Sequence, residues 1–278
     1  MTGRHRHRTI VPLLCSLVAV VALSATAVAQ TVHKLMPSLT TVHIGNFDSA
    51  LKPVLTVDSG DIVLLESAGA IDPALIDQSG VVPPSAVPEY LRTIYREFKD
   101  GGPGPGGHVL TGPIAVRGAA PGDVLEIRIL EVDLAVAYGY NLQRPKEGVL
   151  PDEFKTARQR IIPINLARKT ATVAPGVVVP VAQPFFGVAG VAPPAAEGRV
   201  SSAPPGHHGG NLDNKDLVAG TILYVPVYVP GALFSAGDGH AAQGHGEVNL
   251  TAIETGLRGK FQLIVRKDMK LTWPRAET

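Results

Sequence analysis

The stretch PGDVLEIRILEV, residues 121–132, shows most directly how this chain folds. Leu125, Ile127 and Ile129 alternate with Glu126 and Arg128, which is the period of a strand that buries one face. A Pro-Gly pair opens the stretch, and such pairs mark turns. The pattern therefore predicts a β-strand that starts at a turn and packs against a core on one side.

Two further stretches share the pattern of a small residue and glycine leading into apolar residues. They are SGDIVLLES (59–67) and AGTILYVPVYVPG (219–231). Because Pro226 and Pro230 cannot donate main-chain hydrogen bonds, we expect the second to be an edge strand or an interrupted one. EVNLTAIE (247–254) and GKFQLIVRKD (259–268) predict two more strands, with TGLRG (255–259) as the turn between them.

The composition favours the same architecture. Of 278 residues, 45% are hydrophobic and 5% aromatic, and the chain has 30 glycines and 24 prolines; so many turn residues favour short strands. Helical spacing is clearest in AVPEYLRTIYREFKD (86–100). We predict a mainly β fold of sandwich or barrel type with few short helices. The proline-rich segment 170–205 leaves open a boundary between two β subdomains.

The first 29 residues have the organisation of a secretory signal peptide. MTGRHRHR (1–8) is basic, an apolar segment follows, and AVAQ (27–30) offers a cleavage site after Ala29. An uncleaved membrane anchor is the alternative. Cleavage would remove Cys15, the only cysteine, and so any disulfide or catalytic thiolate. We expect a secreted or periplasmic protein whose residues 30–278 form the functional domain, without stable membrane association after cleavage.

The charge of the cleaved chain argues against two classes of partner. Loss of three arginines lowers the count of lysine and arginine from 25 to 22, against 24 acidic residues. A chain so close to neutrality gives no sign of binding nucleic acid or an anionic membrane surface. The sequence therefore favours a small molecule as the partner.

Three glycine-rich loops combine histidines with carboxylates. One loop ends at residue 108, the second is PGHHGGNLDNKDL (205–217), and the third is GDGHAAQGHGE (237–247). Histidine nitrogens and carboxylate oxygens without thiolates suit zinc or a similar first-row divalent ion. A solvated side chain is the alternative for any single histidine, and turn capping for the acidic residues. We predict a metal site formed by some of five residues: His108, His208, Asp213, Asp238 and His240.

Two acidic side chains are candidates for catalysis beside that site. Glu247, close to the third loop's ligands in sequence, is a candidate general base for water activated by the ion. Asp123, at the start of the first strand, could orient a ligand, although a turn cap is the alternative. No GxSxG motif is present, so a serine hydrolase has little support.

The second loop also offers groups that suit a substrate. Gly209 and Gly210 could present successive N–H groups as a small anion-binding nest. Asn211 and Lys215 could hold a carbonyl or its developing negative charge. Asn211 is equally typical of an Asx turn, and Lys215 could simply pair with Asp216.

Eight motifs, in order from about residue 40 to the end, resemble the acetamidase/formamidase family. They are LKPVLTVDSGDIV, HVLTGPIAVRGAAPGDVLEI, GYN, LPDEF, PFFGVAGVAP, PPGHHGGNLDNKDLVAGTILYVPVYVPGALFSAGDGHAAQGHGEV, TAIET and WPRAET. The resemblance implies a mainly β enzyme, typically homo-oligomeric and here expected as a homodimer. It also implies bound zinc and hydrolysis of small aliphatic amides, such as formamide or acetamide, to a carboxylic acid and ammonia.

The chain departs from the family pattern at two places. His245 stands where many members have an acidic residue, so we rank it below Asp238, His240 and Glu247. The chain stops at WPRAET, where members continue, so we expect a C-terminally truncated member. The alternative function is a non-catalytic metal- or solute-binding β module derived from the amidase scaffold. A structural extracellular protein is a third interpretation, which leaves the clustered histidines unexplained.

Overall fold

The computed structural model describes residues 30–98 and 104–278, which form β-sheets with two short α-helices. The predicted signal peptide, residues 1–29, lies outside the described residues. The helices are α1 (Pro73–Ser79) and α2 (Glu89–Glu97), and two 3-10 turns cover Pro84–Ala86 and Ala195–Glu197. The strands are β1 (Val32–Leu35), β2 (Val42–Ile44), β3 (Asn46–Phe47), β4 (Leu55–Val57), β5 (Ile62–Glu66), β6 (Val109–Val116), β7 (Val124–Leu134), β8 (Tyr138–Gln143), β9 (Arg158–Asn165), β10 (Thr170–Ala174), β11 (Val177–Pro180), β12 (Phe185–Gly190), β13 (Val200–Ser201), β14 (Pro205–Gly206), β15 (Gly209–Asn211), β16 (Ile222–Pro226), β17 (Phe234–Ala242), β18 (Ile253–Thr255), β19 (Leu257–Arg266) and β20 (Arg275–Glu277).

Two large sheets enclose the main core. The smaller has the order β1-β5-β19-β7-β16-β20. The larger has 12 strands, nine of which follow the order β11-β10-β9-β8-β18-β17-β12-β15-β14. The other three are β6, which pairs with β17, and β2 and β4, which both pair with β6. Buried residues of both sheets form one hydrophobic cluster, for example Leu125 and Phe261 from the smaller sheet with Ile114 and Phe234 from the larger. The predicted mainly β, sandwich-like fold is confirmed.

The strand predicted from alternation is confirmed as β7, the long central strand of the smaller sheet. Leu125 and Ile127 are fully buried and Ile129 nearly so. Glu126, on the other face, is also buried, which alternation did not indicate. Its carboxylate accepts hydrogen bonds from Arg128 and Arg266, because a buried charge is tolerated only when it is paired.

The C-terminal strands differ from the prediction. The turn expected at 255–259 is wrong, since β18 ends at Thr255 and β19 begins at Leu257. Gly256 is the point where the chain passes from the larger sheet to the smaller. The alternation of apolar and polar residues along a strand does not show that the chain changes sheet. Of the strand predicted over 247–254, only the end is extended; Glu247 and Leu250 have left-handed backbone instead.

The strands predicted over 59–67, 219–231 and 259–268 and the helix predicted over 86–100 are present with different bounds, the first and third as β5 and β19. The strand predicted over 219–231 is interrupted, because β16 ends at Pro226. The helix predicted over 86–100 appears as α2, and residues 99 and 100 lie outside the described residues. Strands from both sides of the segment 170–205 pair within the larger sheet. Neither helix of the described chain has the length and apolar character that a membrane crossing requires.

β17 is the strand on which the candidate site is built. It pairs with β12 along most of its length. On its other side it pairs first with β6, as far as Gly237, and then with β18, from Gly239 onward. Asp238 lies where the partner changes, and its φ of 56° is left-handed. The start of β6 and the end of β18 therefore meet at this point, and the side chains there converge.

Candidate active site

A single buried histidine lies at the centre of a group of carboxylates. The Nε2 atom of His240 is 3.2 Å from Oε2 of Glu254, 3.4 Å from Oδ2 of Asp238 and 3.9 Å from Oδ1 of Asp213. Glu247 also offers a ligand atom within 4.8 Å of those of Asp213 and His240. The described residues thus contain four carboxylates around one imidazole nitrogen.

Strand register explains why three of these residues meet. Asp238 and His240 are two residues apart on β17, and Glu254 of β18 is the direct partner of His240. His108 comes immediately before β6, and its Nε2 lies 3.7 Å from Oδ2 of Asp238. The expected convergence of His108, Asp238 and His240 is therefore present, although the pairing that produces it is between segments distant in sequence.

Asp213 and Glu247 reach the group from loops with left-handed backbone. Their φ values are 40° and 39°, a region that costs a non-glycine residue on the order of 1–3 kcal/mol. Main-chain bonds hold both loops: the Asp213 N–H donates to the Gly187 carbonyl and the Glu247 N–H to the Gly244 carbonyl. With Asp238, three of the four carboxylates lie on strained backbone, and such strain concentrates at functional sites.

Gly187 of β12 forms the floor beneath the carboxylates. Its neighbours Phe186 and Val188 pair with Gly239 and Gly237, so Gly187 faces Asp238. A Cβ atom at Gly187 would lie 2.5 Å from Oδ1 of Asp213 and 2.6 Å from Oδ2 of Asp238. The two carboxylate oxygens therefore come closer to this strand than any residue other than glycine permits.

The crowding of negative charge shifts the pKa values of the group. Burial and the charge of Asp213 raise the pKa of Glu247 to about 8. Burial and the charge of Asp238 raise that of Glu254 to about 7. Burial alone would lower the pKa of His240, but Glu254 and Asp238 raise it well above its ordinary value. Among the described residues, the ion-pair partners of these carboxylates are His108 and His240 rather than lysine or arginine.

Hydrogen bonds on the far side of each ring orient the two histidines. The Nδ1 atom of His108 is 2.9 Å from Oγ of Ser202, and Nδ1 of His240 is 2.8 Å from Oε1 of Gln243. Both rings therefore turn Nε2 towards the carboxylates. Such an arrangement, with one ring nitrogen bound to a polar group and the other directed into an acidic site, is typical of metal-ligating histidine.

These residues fit a divalent metal ion. Ligand atoms about 2.1 Å from a tetrahedral ion lie about 3.4 Å apart, and the distances from His240 to Asp238 and Glu254 are 3.4 and 3.2 Å. His240 Nε2 and Asp213 Oδ1 are buried and have no hydrogen-bond partner, whereas buried polar atoms are normally paired. The acidic and histidine groups found here could therefore hold a metal ion.

His208 lies apart from this group. It is 2% exposed, and its ring packs edge-on against Phe47 and His207. Burial, with the neighbouring His207, lowers its pKa to about 4. The ring contacts of His208 therefore lie in an aromatic cluster outside the acidic group, and its role as a ligand stays a prediction.

Asp123 and Lys215 make the contacts that the sequence offered as alternatives, and Gly209 and Gly210 lie in a paired strand. Asp123 accepts hydrogen bonds from the Ala120 N–H and from Lys267. Its carboxylate thereby caps the turn before β7. Lys215 lies 3.6 Å from Asp216. Gly209 and Gly210 belong to β15, which is paired with β12 on one side and β14 on the other rather than forming an open loop.

Asn211, which closes β15, lies beside the acidic group and interacts with the Asp213 carboxylate, whereas His245 lies outside the group's contacts. The Asn211 side chain donates to the Ala203 carbonyl, and His245 is exposed. Sequence reasoning missed Glu254, Gly187, Gln243 and Ser202. The signals for two of them were present: an acidic residue in the apolar stretch TAIET and a glycine inside PFFGVAGVAP.

Known proteins are similar to this chain in both sequence and fold. The acetamidase of Mycolicibacterium smegmatis is 28% identical over 54% of this chain and 51% of its own length. The formamidase of Methylophilus methylotrophus is 30% identical over 51% of this chain and 47% of its own. The chain thus spans about half the length of the curated relatives it matches.

A solved structure and a family model agree with these relatives. The crystal structure of a predicted acetamidase/formamidase from Thermoanaerobacter tengcongensis matches with a TM-score of 0.73 and 28% identity, covering 90% of this chain and 74% of that one. The sequence model of the family matches residues 105–199 and 194–274, more than half of the chain and all of the acidic group described above. The chain belongs to the acetamidase/formamidase family.

Proposed function

We propose that this chain hydrolyses a small linear amide of the formamide or acetamide type to a carboxylic acid and ammonia, with a divalent ion, zinc, as cofactor. The carrying observation is the convergence of carboxylates on His240 Nε2, with Asp238 and Glu254 at distances that suit one tetrahedral ion. Asp238, His240 and Glu254 are the residues we assign as ligands, which leaves the fourth position of a tetrahedral ion open for water. The names of the relatives, acetamidase and formamidase, support the choice of substrate.

Each remaining residue then has a distinct task. When bound, the ion would lower the pKa of a water molecule and polarise the amide carbonyl. Glu247 takes the proton from the attacking water and delivers it to the nitrogen as the C–N bond breaks, so that ammonia leaves and a carboxylic acid remains. The partnerless Oδ1 of Asp213 accepts a hydrogen bond from the amide N–H and orients it.

The experiment is ammonia release from formamide and acetamide by residues 30–278, after chelation and with zinc restored. We expect zinc-dependent release that Glu247→Gln abolishes. Glu131→Gln is the matched control, since Glu131 pairs with Lys260 on the smaller sheet. A folded chain that binds zinc but releases no ammonia would favour the metal-binding β module instead.

Secretion and assembly belong to the same proposal. We propose that residues 1–29 direct export, which leaves the domain secreted or periplasmic, and that two copies form a homodimer. Mass spectrometry of the exported protein would show a new N-terminus at Gln30, and sedimentation would give the mass of a dimer. An intact Met1 in an exported, membrane-bound protein would contradict cleavage, and a monomer would contradict dimerisation.

A further inference from the structure

Gln243 connects two of the segments that carry the acidic group. It follows the end of β17, three residues after His240. Its Nε2 donates to the main-chain carbonyl of Asp213 over 2.8 Å, and its Oε1 lies 2.8 Å from Nδ1 of His240. One partly buried carboxamide thus contacts both a β17 residue and the loop that carries Asp213.

These contacts determine which nitrogen of His240 carries hydrogen. A main-chain carbonyl can only accept, so the Gln243 atom facing Asp213 must be the NH2 group. The other atom, Oε1, is then the one that faces His240, and because a carboxamide oxygen can only accept, Nδ1 must donate. With the hydrogen held on Nδ1, the lone pair of a neutral His240 lies on Nε2, between Asp238 and Glu254.

We propose that Gln243 is a positioning residue, which holds His240 in the tautomer that ligates through Nε2 and fixes the Asp213 loop beside it. The inference rests on the proposed function, since it assumes an ion at this site. Phe185 packs edge-on against the His240 ring with 5.0 Å between centroids, so packing restrains the ring but supplies no acceptor for Nδ1. Gln243 is the hydrogen-bond partner of Nδ1 among the described residues.

Three variants separate this role from a general effect on folding. Gln243→Leu removes both contacts, whereas Gln243→Glu keeps an acceptor for Nδ1. The control is Gln262→Leu, because Gln262 lies on β19 of the other sheet and donates one hydrogen bond, to the Gly60 carbonyl. Zinc affinity would be measured for each by competition with a chelating dye, the cobalt(II) absorption spectrum would report coordination, and thermal unfolding of the metal-free forms would report folding.

We expect Gln243→Leu to bind zinc ten- to a hundredfold more weakly, the usual effect of removing a group that orients a ligand. Gln243→Glu keeps the acceptor for Nδ1 but loses the donor to the Asp213 carbonyl, so it should bind at least threefold more tightly than Gln243→Leu without reaching the parental affinity, and Gln262→Leu should be unchanged. A folded Gln243→Leu chain with parental zinc affinity would overturn this inference but leave the proposed function standing. So would a Gln243→Glu chain as weak as Gln243→Leu. A parent chain that binds no zinc would overturn both the inference and the proposed cofactor.

Discussion

Replacing Gly187 by alanine would test whether the acidic group is a coordination site. The new Cβ would lie 2.5 Å from Oδ1 of Asp213 and 2.6 Å from Oδ2 of Asp238, where ordinary contacts begin at 3.4 Å. Gly187 has no left-handed φ, so alanine fits the backbone and the perturbation falls on these oxygens and, at 3.0 Å, on Cε1 of His240. Each carboxylate must therefore retreat by roughly 0.8–0.9 Å, or the strand must move instead.

A displacement of this size exceeds what metal coordination tolerates. Ligand distances vary by about 0.2 Å, and loss of a group that merely orients a ligand already costs up to about a hundredfold in metal affinity, equal to about 2.8 kcal/mol. We therefore expect Gly187→Ala to lower zinc affinity about a hundredfold. The free energy of unfolding of the metal-free chain should fall by about 1–3 kcal/mol, the usual effect of overpacking.

The assay is zinc competition with a chelating dye, together with urea unfolding of the metal-free proteins. Gly69→Ala is the matched control, because its Cβ would meet Tyr140 Cε1 at 3.5 Å, an ordinary contact, and Gly69 also lacks a left-handed φ. Parental zinc affinity in a folded Gly187→Ala protein would refute the reasoning, since the ligand Asp238 cannot move this far and still bind the ion as before.

Two further predictions concern pH and the residues outside the acidic group. Without metal, the raised pKa values of Glu247 and Glu254 mean that the folded chain keeps protons the unfolded chain has lost. The free energy of unfolding should thus fall as the pH rises from 6.5 to 8, by at most about 2 kcal/mol per retained proton. Bound zinc should make the free energy of unfolding depend less on pH. Chelated protein that is equally stable at both pH values would contradict this. Asp123→Ala should lower stability by about 1 kcal/mol through loss of its turn cap, and Lys215→Ala hardly at all. Both should retain ammonia release within about twofold, and a tenfold loss in either would place that residue in catalysis.

Local patterns in the sequence were sufficient for several of the strands and for the residue types that form the candidate site. The alternation of Leu125, Ile127 and Ile129 predicts burial, because successive side chains of a strand point to opposite faces. Histidine and carboxylate in glycine-rich loops indicate metal chemistry from residue types alone. Four of the five predicted ligands meet in the structure, whereas His208 packs against Phe47 instead. Their roles as ligands remain predictions.

Tertiary structure alone decided which of these residues meet and which others join them. Glu254 reaches His240 because β18 pairs with the second half of β17, and His108 reaches Asp238 because β6 pairs with the first half. Gly187 lies beneath them through the pairing of β12 with β17. A period of two shows which side chains a strand buries but not which strand lies beside it. That choice depends on the packing of the whole core, which involves residues far apart in the chain.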